Sequence, residues 1–96
     1  MKYYVYILKT VDDTLYCGFA LDILKRFEEH KGLKGSKGAK YTKAHKPEKI
    51  VFAAEFEDKS SAYKEEYRIK RLKRIEKLSL IEEHKKETEK ILKNFL

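Results

Sequence analysis

The sequence predicts a small α+β fold: a three-stranded antiparallel sheet flanked by helices, in the order β-β-α-β-α-α. Two early runs rich in β-branched and aromatic residues, "YYVYILK" and "TLYCGF", are joined by a turn too short for a crossover, so they form a hairpin. A third such run, "KIVFAAEFE", stands alone in the middle of the chain. Nearly all that follows Asp58 sets its apolar residues at helical spacing.

The first strand covers residues 3–9 and has no polar alternation, as expected of a strand buried on both faces. Asp12 and Asp13 form the turn, and the second strand covers 14–19. Asp22 is a good N-cap for a helix running to His30, with Gly32 able to end it. Residues 31–48 read as a long polar loop, which in so small a domain is often functional. The third strand covers 49–57. Asp58 or Ser60 caps a helix over 59–72, and a further helix runs from Arg74 to about His84. Residues 1–84 are thus the expected domain, and residues 85–96 a helical tail that frays.

A chain of 96 residues suits one domain with a modest core and a shallow surface site. The single cysteine, Cys17, excludes an intrachain disulfide and a cysteine zinc cluster. The N-terminal apolar run is too short to span a membrane and lacks a small-residue cleavage site, so the expected location is the cytoplasm. The net charge of +7 suits a polyanionic partner.

That charge is concentrated. Lys31, Lys34, Lys37, Lys40, Lys43, Lys46 and Lys49 recur at every third residue, interrupted by one acid, Glu48. Three glycines loosen the first half, and Tyr41 offers a ring to a base or sugar. Such a loop can follow a phosphate backbone and release a counterion at each contact. His45 reads as a plain surface residue.

On the wheel of the first helix, Ile23, Leu24 and Phe27 form the apolar face. Arg26 and His30 lie four apart on its border, facing the edge of the core. By pattern they are a snorkelling arginine and a partly buried histidine. Tyr6 and Tyr16, on the paired strands, could share that rim with them. In the second helix Ala62 and Ile69 mark the apolar face, with Tyr63 and Tyr67 beside it. Glu66 falls inside the apolar sector, where a carboxylate needs a cation, a donor or a proton. Lys70, at i+4 in the favoured order, is one partner. A divalent ion, completed by waters and a substrate phosphate, is the other.

Taken together, these residues resemble the GIY-YIG nuclease domain family, in its small single-domain YhbQ-type branch. The family's two strand motifs stand here as Tyr4-Val5-Tyr6 and Tyr16-Cys17-Gly18. Arg26 and His30 match its first-helix positions, and Glu66 matches its acidic residue through "AYKEEYRIK". The resemblance covers about residues 3–82 and includes "GAKYTKAHKP" and "IKRLKRIEKLSLI". Tyr4 replaces the first motif's glycine. Phe19-Ala20 follows Gly18 where relatives often carry a hydroxyl or a lysine, so a lysine has no catalytic role there.

The resemblance implies hydrolysis of phosphodiester bonds with one divalent metal, Mg²⁺ or Mn²⁺, held by Glu66. Arg26 would grip the scissile phosphate. Tyr6 or Tyr16 would orient or deprotonate water, with a cationic neighbour lowering the phenol's ordinary pKa near 10, or His30 would take the proton. Lys31, Lys34, Lys37, Lys40, Tyr41, Lys43, Lys46 and Lys70 would bind nucleic acid. The expected function is a structure-directed or non-specific DNA endonuclease in repair or processing. RNA is the second candidate substrate, no membrane is involved, and a separate protein would supply targeting. The competing reading is a binding module that keeps the fold without turnover.

Overall fold

The computed structural model describes residues 2–30 and 45–95. Strands β1 (Tyr3–Thr10) and β2 (Leu15–Ala20) form the hairpin, followed by helix α1 (Ile23–His30) and strand β3 (Pro47–Phe56). Helices α2 (Lys59–Lys70), α3 (Arg74–Glu83) and α4 (Lys85–Lys93) complete it. The sheet is antiparallel with order β2-β1-β3, the architecture the sequence predicts.

β1 is the central strand, which explains its uninterrupted apolar run. Tyr4, Tyr6 and Leu8 are buried on one face, Val5 and Ile7 on the other. The first face is covered by Ile23 and Phe27 of α1 and by Ile91 and Leu92 of α4. The second is covered by Ala62 and Ile69 of α2 and by Leu80 and Ile81 of α3. The helices therefore form two layers with the sheet as a partition between them. No helix among the described residues is long and apolar enough to cross a membrane.

Three elements differ from the sequence reading. β3 begins at Pro47, two residues early. Proline lacks a donor, but β3 is an edge strand and Pro47 opens it, where the missing bond costs least. The β1–β3 register shifts between Ile7 and Leu8 and again between Lys9 and Thr10, which absorbs the extra residues. α2 ends at Lys70, and its N-cap is Asp58, whose side chain accepts from the Ser61 N–H at 2.7 Å.

The third difference is the tail. Residues 85–95 do not fray but pack on the sheet. Thr88 accepts the Ala53 N–H through Oγ1 at 3.1 Å, and Phe95 meets Tyr4 edge-on with ring centres 5.1 Å apart. Thr88 and Ile91 are buried. Thr88, Ile91, Leu92 and Phe95 make one stripe at i, i+3, i+4 and i+7. A polar residue opens that stripe, which hides it in the sequence.

Candidate active site

The β1–β2 register sets Tyr6 opposite Gly18 and Tyr16 opposite Leu8. Their side chains alternate onto the α1 face, so both tyrosines point at the helix that carries Arg26 and His30. Asp22 fixes the start of that helix, its carboxylate accepting from the Lys25 N–H at 3.0 Å. His30 lies two turns on, at the C-terminal end, and turns inward to the tyrosines.

The Tyr6 hydroxyl lies 2.9 Å from His30 Nε2. The Tyr16 ring meets the same imidazole edge-on, with centres 5.2 Å apart. Tyr6 is 2% exposed and His30 4%. Burial pushes the Tyr6 phenol well above its usual range; Tyr16 adds to this and the Arg26 guanidinium partly offsets it. Burial, then the charge of Arg26, hold the His30 imidazole down to about 4. At neutral pH, then, the imidazole is uncharged and the phenol keeps its proton. The Tyr6 hydroxyl and Nε2 share this hydrogen bond, and which of them donates depends on which ring nitrogen carries the single imidazole proton. A protonated His30 as the cation that activates tyrosine does not fit this burial.

Arg26 is partly exposed beside the pair, and its Nη1 also donates to Glu29 at 3.1 Å. A shallow depression of about 260 Å³ opens there, lined by Phe19, Asp22, Lys25, Arg26 and Glu29. The structure thus brings Tyr6, Tyr16, Arg26 and His30 together at one rim of the sheet. Of the motif residues around them, Tyr4 and Val5 are core, on opposite faces of β1.

Glu66 belongs to the other layer. Its helix packs on the opposite sheet face, and its carboxylate takes Lys70 Nζ at 3.2 Å, the helical ion pair that the spacing predicts. Its carbonyl faces the Cys17 thiol, with Sγ 4.0 Å away. Burial foremost, then the Glu66 charge, push that thiol up to about 12, so Cys17 is an inert packing residue. Between Glu66 and the tyrosine cluster stands β2, the edge strand. Glu65, the neighbouring acid, is held by Arg68 in a two-pronged pair at 2.8 and 2.7 Å.

Among the nucleic-acid candidates, Lys31, Lys34, Lys37, Lys40, Tyr41 and Lys43 lie outside the described residues. Lys46 and Lys49 are exposed at the start of β3. That is the opposite edge of the sheet from Tyr16, roughly 10 Å away across β1. His45 is no bare surface group: its Nδ1 lies 2.5 Å from Asp12 Oδ2. Hydrogen bonds from Thr10, then His45, hold the Asp12 carboxyl down to about 2. The sequence reading passed over Phe19, Tyr63 and Tyr67 as site residues. Tyr63 stacks on Phe19 at 4.6 Å, and the signal was two tyrosines four apart on a helix whose core contacts are made by Ala62 and Ile69.

Fold and rim together define a small nuclease-type domain, and comparison with known proteins agrees. The GIY-YIG catalytic domain model matches residues 2–79, and this chain belongs to that family. A UPF0213 protein of Staphylococcus saprophyticus is 46% identical over 82 residues, covering 85% of this chain and 96% of the relative. One from Oceanobacillus iheyensis is 44% identical over 81 residues, covering 84% and 91%. The solution NMR structure of a UPF0213 protein from Bacillus halodurans has the same fold, with a TM-score of 0.57 and 35% identity over 88% of this chain and 87% of that one. These likenesses agree with the small, single-domain YhbQ-type branch.

Proposed function

We propose that this protein is a divalent-metal-dependent endonuclease that hydrolyses phosphodiester bonds in DNA, in repair or processing. The observation that carries the reading is the convergence of Tyr16 and Arg26 on the buried Tyr6–His30 pair. Phosphodiester hydrolysis needs a placed water, a cation on the phosphate and a route for a proton.

Arg26 supplies a planar donor at a surface depression, suited to two oxygens of one phosphate. Tyr16 is half-buried, whereas Tyr6 and His30 are enclosed. Tyr16 is therefore the phenol that meets the attacking water. Tyr6 and the neutral His30 set its position by packing and hydrogen bonding, and the proton from the water leaves on the solvent side. Substrate would be gripped through its backbone and shape, since phosphate contacts carry no sequence information.

Glu66 would hold the metal. Among the described residues there is no group of three or more His, Cys, Asp or Glu side chains able to enclose an ion. One hard carboxylate with waters and substrate oxygens is nonetheless the arrangement Mg²⁺ commonly takes. A bound divalent ion would offset charge on the phosphate and on the leaving oxygen. Lys70 must then swing from Glu66, and it is exposed enough to do so.

One observation favours the binding-only reading: the Glu66 carboxylate is paired with Lys70 and stands across β2 from the tyrosines. The discriminating experiment incubates the protein with supercoiled plasmid and labelled branched DNA, with Mg²⁺, Mn²⁺ or EDTA. Metal-dependent cutting that disappears in Glu66→Ala and Arg26→Ala supports the enzyme. Undiminished cutting by Glu66→Ala removes the metal assignment, and salt-sensitive binding without cutting on either DNA supports the binding module.

A further inference from the structure

Beside the half-buried Glu66, α2 turns an exposed face outward. On a helical wheel Lys59, Tyr63, Glu66, Tyr67 and Lys70 fall within a sector of about 100°. Tyr63 is 47% exposed and Tyr67 63%. Neither ring is needed for the core, because α2 is seated by the fully buried Ala62 and Ile69. Tyr63 continues outward from the sheet as a stack on Phe19, which itself stacks on Tyr3 at 5.9 Å. Cations rest on both exposed rings: Lys59 Nζ lies 5.5 Å from the centre of Tyr63, and the Arg71 guanidinium 5.4 Å from that of Tyr67. Arg71 also donates to the Tyr67 hydroxyl at 2.8 Å. Phe19 lines the depression that holds Arg26, so the aromatic row and the arginine share one continuous surface.

We propose that Tyr63 and Tyr67, with Phe19 stacked behind Tyr63, form a stacking platform for the unpaired bases of a single-stranded DNA segment, with Lys59, Lys70 and Arg71 meeting its phosphates. Exposed rings flanked by mobile cations are the chemistry that holds single strands without regard to sequence. A duplex keeps its base faces inside the stack and has nothing to lay on these rings. The platform adjoins the depression at Arg26, so a strand lying on it leads its backbone toward that side chain. The substrate class is then DNA carrying a flap, gap or frayed end. This deepens the nuclease reading and rests on it for the choice of nucleic acid as partner.

The test is metal-free binding, which does not depend on cleavage. Affinities for a short oligothymidylate and for a fully paired duplex are measured by fluorescence anisotropy. The proteins are the wild type, a Tyr63→Leu/Tyr67→Leu variant and a Tyr63→Phe/Tyr67→Phe variant. The leucine variant should lose about tenfold or more on the single strand and nothing on the duplex, and the phenylalanine variant should bind like the wild type. The chain has no tryptophan, so Tyr67→Trp gives a lone reporter whose fluorescence should be quenched by the single strand. Equal affinity of the leucine variant, an equal loss on the duplex, an unquenched Trp, or no single-strand binding by the wild type would each overturn the platform. A protein that binds in this pattern yet never cuts retires the nuclease reading alone. One that cuts while the leucine variant binds normally retires the platform alone.

Discussion

Tyr6 lies directly over Gly18. A side-chain carbon on residue 18 would fall 2.4 Å from the Tyr6 hydroxyl oxygen and 2.5 Å from its Cζ. Tyr6 cannot move aside cheaply, since it is 2% exposed and tied to His30 at 2.9 Å. The glycine of the second motif is therefore a matter of clearance: it lets a tyrosine from the central strand reach the rim of the sheet. Gly18→Ala should cost about 1–3 kcal/mol, read as a lower denaturant midpoint. Adding Tyr6→Phe should not restore the loss, because the ring carbon is as close as the oxygen. Full recovery in the double variant would refute the clearance argument.

The neutral His30 makes stability depend on pH in a definite direction. Its folded pKa, held down to about 4, lies below the ordinary imidazole value of 6.5. Between those values the unfolded chain binds a proton that the folded one refuses. The contribution is complete above pH 6.5 and is lost as pH falls toward 4, by about 3 kcal/mol in all. Carboxyls such as Asp12, whose pKa is held down to about 2, act at more acid pH. His30→Gln should flatten the slope of unfolding free energy across this window, measured by urea titration at several pH values. An unchanged slope would place the proton elsewhere.

Tyr6→Phe deletes the hydroxyl that is hydrogen-bonded to a buried imidazole nitrogen. The expected cost is about 1–3 kcal/mol, since a hydrogen bond between two enclosed side chains is lost. His30 chemical shifts followed by NMR should move together with the loss. A neutral substitution would mean that water had replaced the phenol.

Thr88 tests whether the last helix belongs to the fold. Its Oγ1 takes the N–H of Ala53, a residue with no exposure at all. Thr88→Val keeps the shape and strands that N–H, at about 1–3 kcal/mol, whereas Thr88→Ser should keep most of the stability. Hydrogen exchange at the Ala53 amide should quicken in the valine variant only.

If Glu66 takes a divalent ion, Lys70 competes with it. Lys70→Met removes a partner 3.2 Å away that is itself half exposed, so the pair is weak. Half-maximal cleavage should then require a few times less Mn²⁺. A higher requirement would make Lys70 a helper of the metal or of the substrate instead.

Much of this was legible in the residues. The unbroken apolar run of β1 announced a central strand, and the wheel of α1 put Arg26 and His30 on the core border, where they lie. Ala62 and Ile69 marked the seat of α2, and the Glu66–Lys70 pair followed from their spacing. The layer assignment was not legible. A wheel says which face of a helix is apolar, not which side of a sheet receives it. So the separation of Glu66 from the tyrosines by β2 appears only in three dimensions. The docking of α4 was hidden because its stripe opens with Thr88, which earns its burial by a hydrogen bond rather than by hydrophobicity. The start of β3 at Pro47 was missed because proline argues against a strand unless the strand is known to lie at an edge.

The contact of Phe95 with Tyr4 has a consequence for biosynthesis. These residues come from opposite ends of the described chain, and the face between them also holds Tyr6. A chain still leaving the ribosome has made both tyrosine motifs long before it makes the helix that packs on the face of Tyr4. Until that helix docks, the sheet face that holds Tyr4 and Tyr6 is only partly covered. That sheet face is therefore covered late, by a segment made well after the motif residues it packs against, and a half-made chain carries those residues with their face still open.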